Sequence, residues 1–212
     1  MKRNISENNS PMLLSLLSCK IKVIVIGGGN AAYIKSKTFA LKGCQVYILA
    51  EKFIYNFENI KDYLNVTLIK GRYDKRYIED KHIVVIATDK EEVNSTIQSH
   101  CMELCKIYVD TTNSKNGNSI IPCQRNSKNV SVGVNIKGVS PITSVFIADK
   151  IIGYIKKYDN FVEFSSKMRN AISHIEYKKS IMSFICTDDF YFFYEKGKAC
   201  TIIKMFYKNE FE

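Results

Sequence analysis

Apolar positions in this chain come in short unbroken blocks separated by polar stretches of helical spacing. The first block, Lys22–Ile26, is rich in Val and Ile and runs straight into three glycines. Strands buried on both faces read as continuous apolar runs rather than alternating ones, so this block predicts a central parallel strand. Residues 31–42 then predict a helix, with Ile34, Thr38 and Leu41 at helical spacing and Gly43 as its stop signal. Gln45–Ala50, 65–70, 82–87 and Ile107–Asp110 repeat the strand pattern. Between them, 72–80 reads as a polar connector or short helix, and Thr88 is the expected N-cap of a helix running through Lys106.

Strands alternating with helices predict an α/β fold with a doubly wound, Rossmann-type parallel sheet. The pattern changes after the fifth strand. Residues 111–119 are polar and contain Gly117, as expected of a boundary loop. Two strands are expected at 119–123 and 130–136, joined by a polar turn. Pro141 then opens a helix through Val145, Ile147, Ile151 and Ile155. From Asn160 the chain is aromatic-rich and mostly helical in pattern, which suits a core or a self-association contact. The expected division is a nucleotide-binding domain at 1–112, a small β-containing segment at 113–150 and a helical domain at 151–212.

The glycines carry the first candidate chemistry. Gly27, Gly29 and Ala32 fill the G-x-G-x-x-A spacing of a dinucleotide-binding turn. Gly27 would allow the tight turn, Gly29 would let a pyrophosphate approach the backbone, and Ala32 would let the helix lie close to the strand. The free N–H groups and positive dipole end of that helix would face the phosphates. Glu51 lies 22 residues after Gly29, close to the offset of the acid that accepts hydrogen bonds from the adenosine ribose. Lys52 beside it is a cation that would tolerate a 2′-phosphate. The three glycines, Glu51, Thr88-Asp89 and Asp110 all fall at carboxyl ends of expected strands, where such folds bind ligands.

Bulk composition narrows the classes. The chain has 212 residues, 46% of them hydrophobic and 25% charged, an ordinary globular balance. No apolar run approaches the roughly 20 residues that span a bilayer. The segment from Pro11 is too short and interrupted for a signal peptide, so a cytoplasmic protein is expected. Seven scattered cysteines without C-x-x-C pairs argue for a reducing compartment. Cys101 and Cys105, beside His100, read as small apolar residues rather than ligands, and three histidines without ligand spacing predict no resident metal site. The net charge of +10 is spread along the chain, without the basic stripe and interleaved aromatics of a nucleic-acid binder. It fits a polyanionic small molecule better, because Lys115, Arg125, Lys128 and Lys137 share 113–149 with a single acid.

Several short motifs, in this order and spacing, make residues 10–155 resemble the precorrin-2 dehydrogenase family, the dehydrogenase and ferrochelatase half of siroheme synthase. They are Pro11-Met-Leu-Leu-Ser-Leu, Gly27-Gly-Gly-Asn-Ala-Ala-Tyr-Ile-Lys35, Ala87-Thr-Asp-Lys-Glu-Glu-Val-Asn94, Pro122, and Gly138-Val-Ser-Pro141 ahead of a helix. The resemblance implies a Rossmann domain, a central dimerisation segment, a C-terminal helical domain and a homodimer. It implies hydride transfer from precorrin-2 to NAD+, giving sirohydrochlorin; some members also insert Fe²⁺, and that alternative stays open. Its cofactor contacts fall on Asn30, Ala31, Glu51 and Lys52, with Thr88, Asp89 and Asn113 as candidates to line the cleft.

The family's catalytic acid is an Asp just after the fifth strand. Counting back from Pro122 without a gap, that position holds Thr112, and Asp110 would need a small shift to serve. A general base is worth on the order of 10²–10⁴ in rate, so a relative that binds but has lost the chemistry is the rival reading. A second departure, Asn135-Ile-Lys-Gly138 where the family has a Ser- and Gly-rich turn, bears on the tetrapyrrole contacts. A generic NAD-binding regulatory domain would account for the first 112 residues alone.

Overall fold

The computed structural model describes residues 11–137, 140–172 and 176–207. Gly138 and Val139 of the expected Gly-Val-Ser-Pro motif lie outside these. The chain forms two compact units, Met1–Ile121 and Pro122–Glu212.

The first unit holds five parallel strands: β1 (Lys22–Ile26), β2 (Gln45–Ala50), β3 (Val66–Lys70), β4 (Ile83–Ile86) and β5 (Ile107–Asp110). Their order is β3-β2-β1-β4-β5, the Rossmann arrangement expected from the sequence. Between them come α1 (Asn30–Leu41), α2 (Arg76–Glu79) and α3 (Glu91–Glu103). Four residues of β1 and all of β4 are buried, because helices cover both faces of the sheet centre. Val23, Val25, Val46, Ile48 and Val85 face α1 and the turn carrying Phe57. Ile24, Ile26, Leu49, Val84 and Ile86 face the other layer, which includes Ile78, Ile97 and Cys101. Strand order reverses between β1 and β4, and a ligand crevice opens at that point in such sheets.

α1 corrects one expectation. Ile34 and Leu41 are 58% and 66% exposed, and Thr38 is exposed too. The buried face is Ala32, Ser36 and Ala40, one small residue per turn, which allows close approach to the sheet. Larger side chains there would hold the helix off the strands. Its end is as expected: Gly43 takes φ +88° while its N–H donates to the Ala40 carbonyl, and the Cys44 N–H donates to that of Phe39. This is a Schellman closure. Asn65 donates its side-chain amide to the Ala40 and Cys44 carbonyls and ties the same helix end to β3.

Two other expectations shift. α3 begins at Glu91 with Lys90 in the cap position, so Thr88 is not its N-cap. Thr88 Oγ1 instead accepts the Lys90 N–H and donates to Asn94 Oδ1 at 2.5 Å, shaping the turn ahead of the helix. Residues 119–122 are not strand. Ser119 donates its N–H to the Tyr108 carbonyl, and the Asn118 side chain bridges the Tyr108 N–H and the Lys106 carbonyl, closing the β5 edge.

The second unit begins with an antiparallel pair, β6 (Cys123–Asn126), displaced from the expected 119–123, and β7 (Ser131–Val134), which lies within the expected 130–136. It continues in α4 (Pro141–Ile155), α5 (Asp159–Ala171), α6 (Lys178–Ile185), α7 (Asp188–Glu195) and α8 (Ala199–Phe206). Pro141 opens α4 as expected, with Ser140 Oγ accepting the Thr143 N–H as its cap. The hairpin turn is clamped to α5: Asp159 accepts from Ser127 Oγ and from the Lys128 and Asn129 N–H groups. The aromatic tail is core. Phe161, Phe164 and Tyr194 pack on Ile172, Ile181, Ile185, Phe190 and Ile203.

Among the described residues, no helix is long and apolar enough to cross a membrane. No group of three or more His, Cys, Asp or Glu among them is arranged to hold a metal ion.

Candidate functional site

The turn after β1 is built from three glycines with three different constraints. Gly27 takes φ +137°, and a Cβ there would lie 2.2 Å from the Ala87 carbonyl oxygen. Its N–H donates to the Leu49 carbonyl, so the turn is pinched between the ends of β2 and β4. A Cβ on Gly28 would lie 1.9 Å from the Lys52 carbonyl oxygen. The Gly28 carbonyl in turn accepts the Ile54 N–H, which locks the loop carrying Glu51 and Lys52 against the turn.

Gly29 differs from both. Its backbone is extended, at φ −92° and ψ −173°, and a Cβ there would meet no protein atom within 4 Å. Nothing inside the protein requires glycine at this position. Space beside the N-terminus of α1 does call for it if a ligand's phosphates come that close. Gly29 is the N-cap of α1 and contributes no side-chain cap, and the first turn carries no acid. The amide donors of Asn30 and Ala31 thus begin a helix whose positive end has no side-chain anion of its own. Both residues are exposed. This is the donor set and clearance that a pyrophosphate fits.

Glu51 is exposed at the end of β2. Its Oε1 pairs with Arg72 Nε at 3.3 Å and Lys90 Nζ at 3.7 Å, so the ends of β2 and β3 and the turn after β4 converge on one carboxylate. Lys52, next to Glu51 in the chain, and Asp89, next to Lys90, are both exposed. Thr88 is half-buried, and its hydroxyl and carbonyl are both tied to Asn94. Sequence reasoning missed Asn94 as the residue that shapes this turn; its signal was a polar residue on the buried face of α3.

Asp110 ends β5 and is only 2% exposed. Its Oδ1 accepts the Thr112 N–H at 2.8 Å, the Thr112 hydroxyl at 2.6 Å and the Asn113 N–H at 3.0 Å. Its Oδ2 accepts Gln98 Nε2 at 2.7 Å. Burial opposes ionisation, but these bonds, that of the Thr112 hydroxyl foremost, outweigh it and hold the carboxyl below its ordinary range. The group is therefore charged, as a base must be, while its lone pairs are largely in use. Gly117 packs beneath it, where a Cβ would lie 3.0 Å from the Asp110 nitrogen. Thr112 and Asn113 are exposed, and their backbones follow from the Asp110 anchor. Gln98, a polar residue on the sheet-facing side of α3, was not anticipated either.

A family model described as "Putative NAD(P)-binding" matches residues 15–123, which include every residue of this site. The chain belongs to that family. It is 25% identical to a siroheme synthase of Psychrobacter sp. (strain PRwf-1) over 152 residues, covering 71% of this chain and 31% of the relative. It is 24% identical to a siroheme synthase of Escherichia coli (strain K12 / DH10B) over 143 residues, covering 64% and 31%. The chain thus spans about a third of the length of these curated relatives. A solved structure titled "SirC, precorrin-2 dehydrogenase" shares the fold, with a TM-score of 0.64 and 20% identity over 84% of this chain and 90% of that one. Together the matches bear out the resemblance to the precorrin-2 dehydrogenase family drawn from the motifs.

Proposed function

We propose that this chain is an NAD-dependent precorrin-2 dehydrogenase acting in tetrapyrrole biosynthesis. The observation that carries the reading is the clearance at Gly29 beside an α1 N-terminus with no side-chain cap, in a chain similar to siroheme synthases. NAD, when bound, supplies the hydride acceptor. Gly27 and Gly28 shape the turn, and the backbone at Gly29, Asn30 and Ala31 takes the pyrophosphate. Glu51 and Lys52 lie beside the adenosine ribose, and Thr88 and Asp89 line the crevice between β1 and β4.

Asp110 is the base in this reading. Its charged state suits the task, and Oδ2, which accepts only from Gln98, is the oxygen to which a substrate proton would pass once the Gln98 amide turns aside. Basic residues in 113–149 suit a polycarboxylate such as precorrin-2. The segment 113–150 is assigned to homodimerisation, ahead of a helical domain at 151–212, in a cytoplasmic protein.

A second reading is favoured by one observation: Asp110 is buried with four hydrogen bonds into it, as a loop anchor would be. On that reading the protein binds NAD and tetrapyrrole without turnover. An anaerobic assay with precorrin-2 and NAD+ separates the two. The first expects NADH and sirohydrochlorin in equal amounts; the second expects both ligands to bind with no NADH. Absence of binding by either ligand would refute both.

A further inference from the structure

Asp110 is only 2% exposed, so its carboxyl offers almost no surface to a substrate outside the fold. Transfer of a proton to Oδ2 requires the Gln98 amide to move away. Oδ1 has a route to the surface that requires no movement. The Thr112 hydroxyl donates to it at 2.6 Å, and Thr112 is exposed. This one hydroxyl therefore joins the buried carboxylate to the outside. Among the described residues none donates to Thr112 Oγ1, which leaves its lone pairs for a donor from a ligand.

The loop fixes the hydroxyl where it stands. The Thr112 N–H donates to the same Oδ1 at 2.8 Å, so backbone and side chain of one residue grip one oxygen. Further along, Asn113 Oδ1 accepts the Lys115 N–H at 3.1 Å. The neighbouring Thr111 is used differently: its hydroxyl donates to the Ile86 carbonyl at 3.0 Å and ties β5 to the end of β4. Two consecutive threonines thus face different acceptors, one a neutral carbonyl and the other a carboxylate that can take a proton. A hydroxyl alone is too weak a base near neutral pH. Bonded to a carboxylate, it can accept one proton while it gives up another.

We propose that Thr112 is a catalytic residue that relays the substrate proton to Asp110. This rests on the dehydrogenase reading above, with Asp110 as the base, and replaces direct transfer to Oδ2. The substrate proton bonds to Thr112 Oγ1 while the Thr112 O–H bond breaks and its proton bonds to Asp110 Oδ1. The electrons of the bond that held the substrate proton form the new double bond, and hydride leaves the neighbouring carbon for NAD+. Thr112 is regenerated, and Asp110 returns its proton to water by the reverse relay.

The test measures kcat and KM for precorrin-2 anaerobically with NAD+, and NAD+ affinity by titration calorimetry, on the full chain, Thr112→Val, Thr112→Ser and Thr111→Val. Thr112→Val keeps the shape and the backbone bonds and removes only the hydroxyl. Its kcat should fall by about 100-fold, within the range of general-base help, with KM and NAD+ affinity within about threefold of the parent. Thr112→Ser should recover kcat to within about tenfold of the parent, and Thr111→Val should keep it within about threefold. Parental kcat in Thr112→Val would overturn the proposal and leave Oδ2 as the route. An equal loss in Thr111→Val, no recovery in Thr112→Ser, or lost NAD+ affinity in Thr112→Val would also overturn it, since each marks a fault of the loop. No NADH from the parent itself would instead overturn the dehydrogenase reading, and this proposal with it.

Discussion

The turn at residues 27–29 and the Asp110 loop stand at carboxyl ends of strands in one sheet, yet they use their hydrogen-bonding groups in opposite ways. At the turn, α1 starts from a glycine cap with no side-chain acceptor and no acid in its first turn, and the space beside Gly29 is clear. At β5, a buried carboxylate collects four donors from Thr112, Asn113 and Gln98. One strand end leaves its donors without a side-chain anion; the other already contains its anion. The difference explains how a chain can hold a dinucleotide cradle of ordinary form and yet have its candidate base tied into the fold.

The largest effect is expected at Gly27. Gly27→Ala forces a Cβ to within 2.2 Å of the Ala87 carbonyl at a φ of +137°, which should cost about 3 kcal/mol or more in denaturant unfolding of the first unit. A smaller loss would mean that the turn is not pinched between β2 and β4 as described.

Asp110→Asn comes next. The replacement amide must turn its NH₂ either toward Gln98 or toward the Thr112 and Asn113 donors, at a cost of about 2 kcal/mol. The pH dependence has a definite sign. The folded Asp110 carboxyl titrates below its unfolded value, so it adds stability above the unfolded range, near pH 4. That stability is lost as pH falls further through the folded value. The parent should lose stability in this acid window more steeply than Asp110→Asn, as followed by urea unfolding at pH 3 to 6. Parallel curves would show that Asp110 is not held ionised by its donors.

The smallest effect concerns the helix beneath the turn. Ser36 Oγ is buried without a hydrogen-bond partner among the described residues. Ser36→Ala keeps the small-residue face and removes the unsatisfied hydroxyl, so a gain of roughly 0.5–1 kcal/mol is expected. A loss would mean that the hydroxyl has a partner in solution.

Much of this contrast was legible in the sequence. The short apolar blocks gave strands β1, β2 and β5 with their bounds, because burial within the sheet leaves charged or amide residues only at strand ends, Lys22 and Gln45 opening β1 and β2 and Asp110 closing β5. Pro141 and Ser140 marked the start of α4 for a reason as local as any in the chain. Other features were hidden because they depend on partners distant in sequence. The face of α1 follows how near the sheet lies, which selects Ala32, Ser36 and Ala40 over the more apolar Ile34 and Leu41. β6 is Cys-Gln-Arg-Asn, polar at three of its four positions, so the more apolar 119–122 reads as the strand instead, although its Ser119 closes the β5 edge. Asn94 and Gln98 act across from α3 to residues 6 and 12 positions away, beyond what a spacing rule reads.

The most direct test of the central claim is binding of NAD+ by Gly29→Val. The backbone at Gly29 is extended and open, conditions that a valine meets without strain. The variant should therefore stay folded, losing about 1 kcal/mol for a valine in place of glycine at the helix N-cap, while its NAD+ affinity, measured by titration calorimetry, falls by about 100-fold or more, the scale of several charge-assisted bonds to phosphate. NAD+ bound as tightly by Gly29→Val as by the parent would contradict the claim that the pyrophosphate lies against this turn.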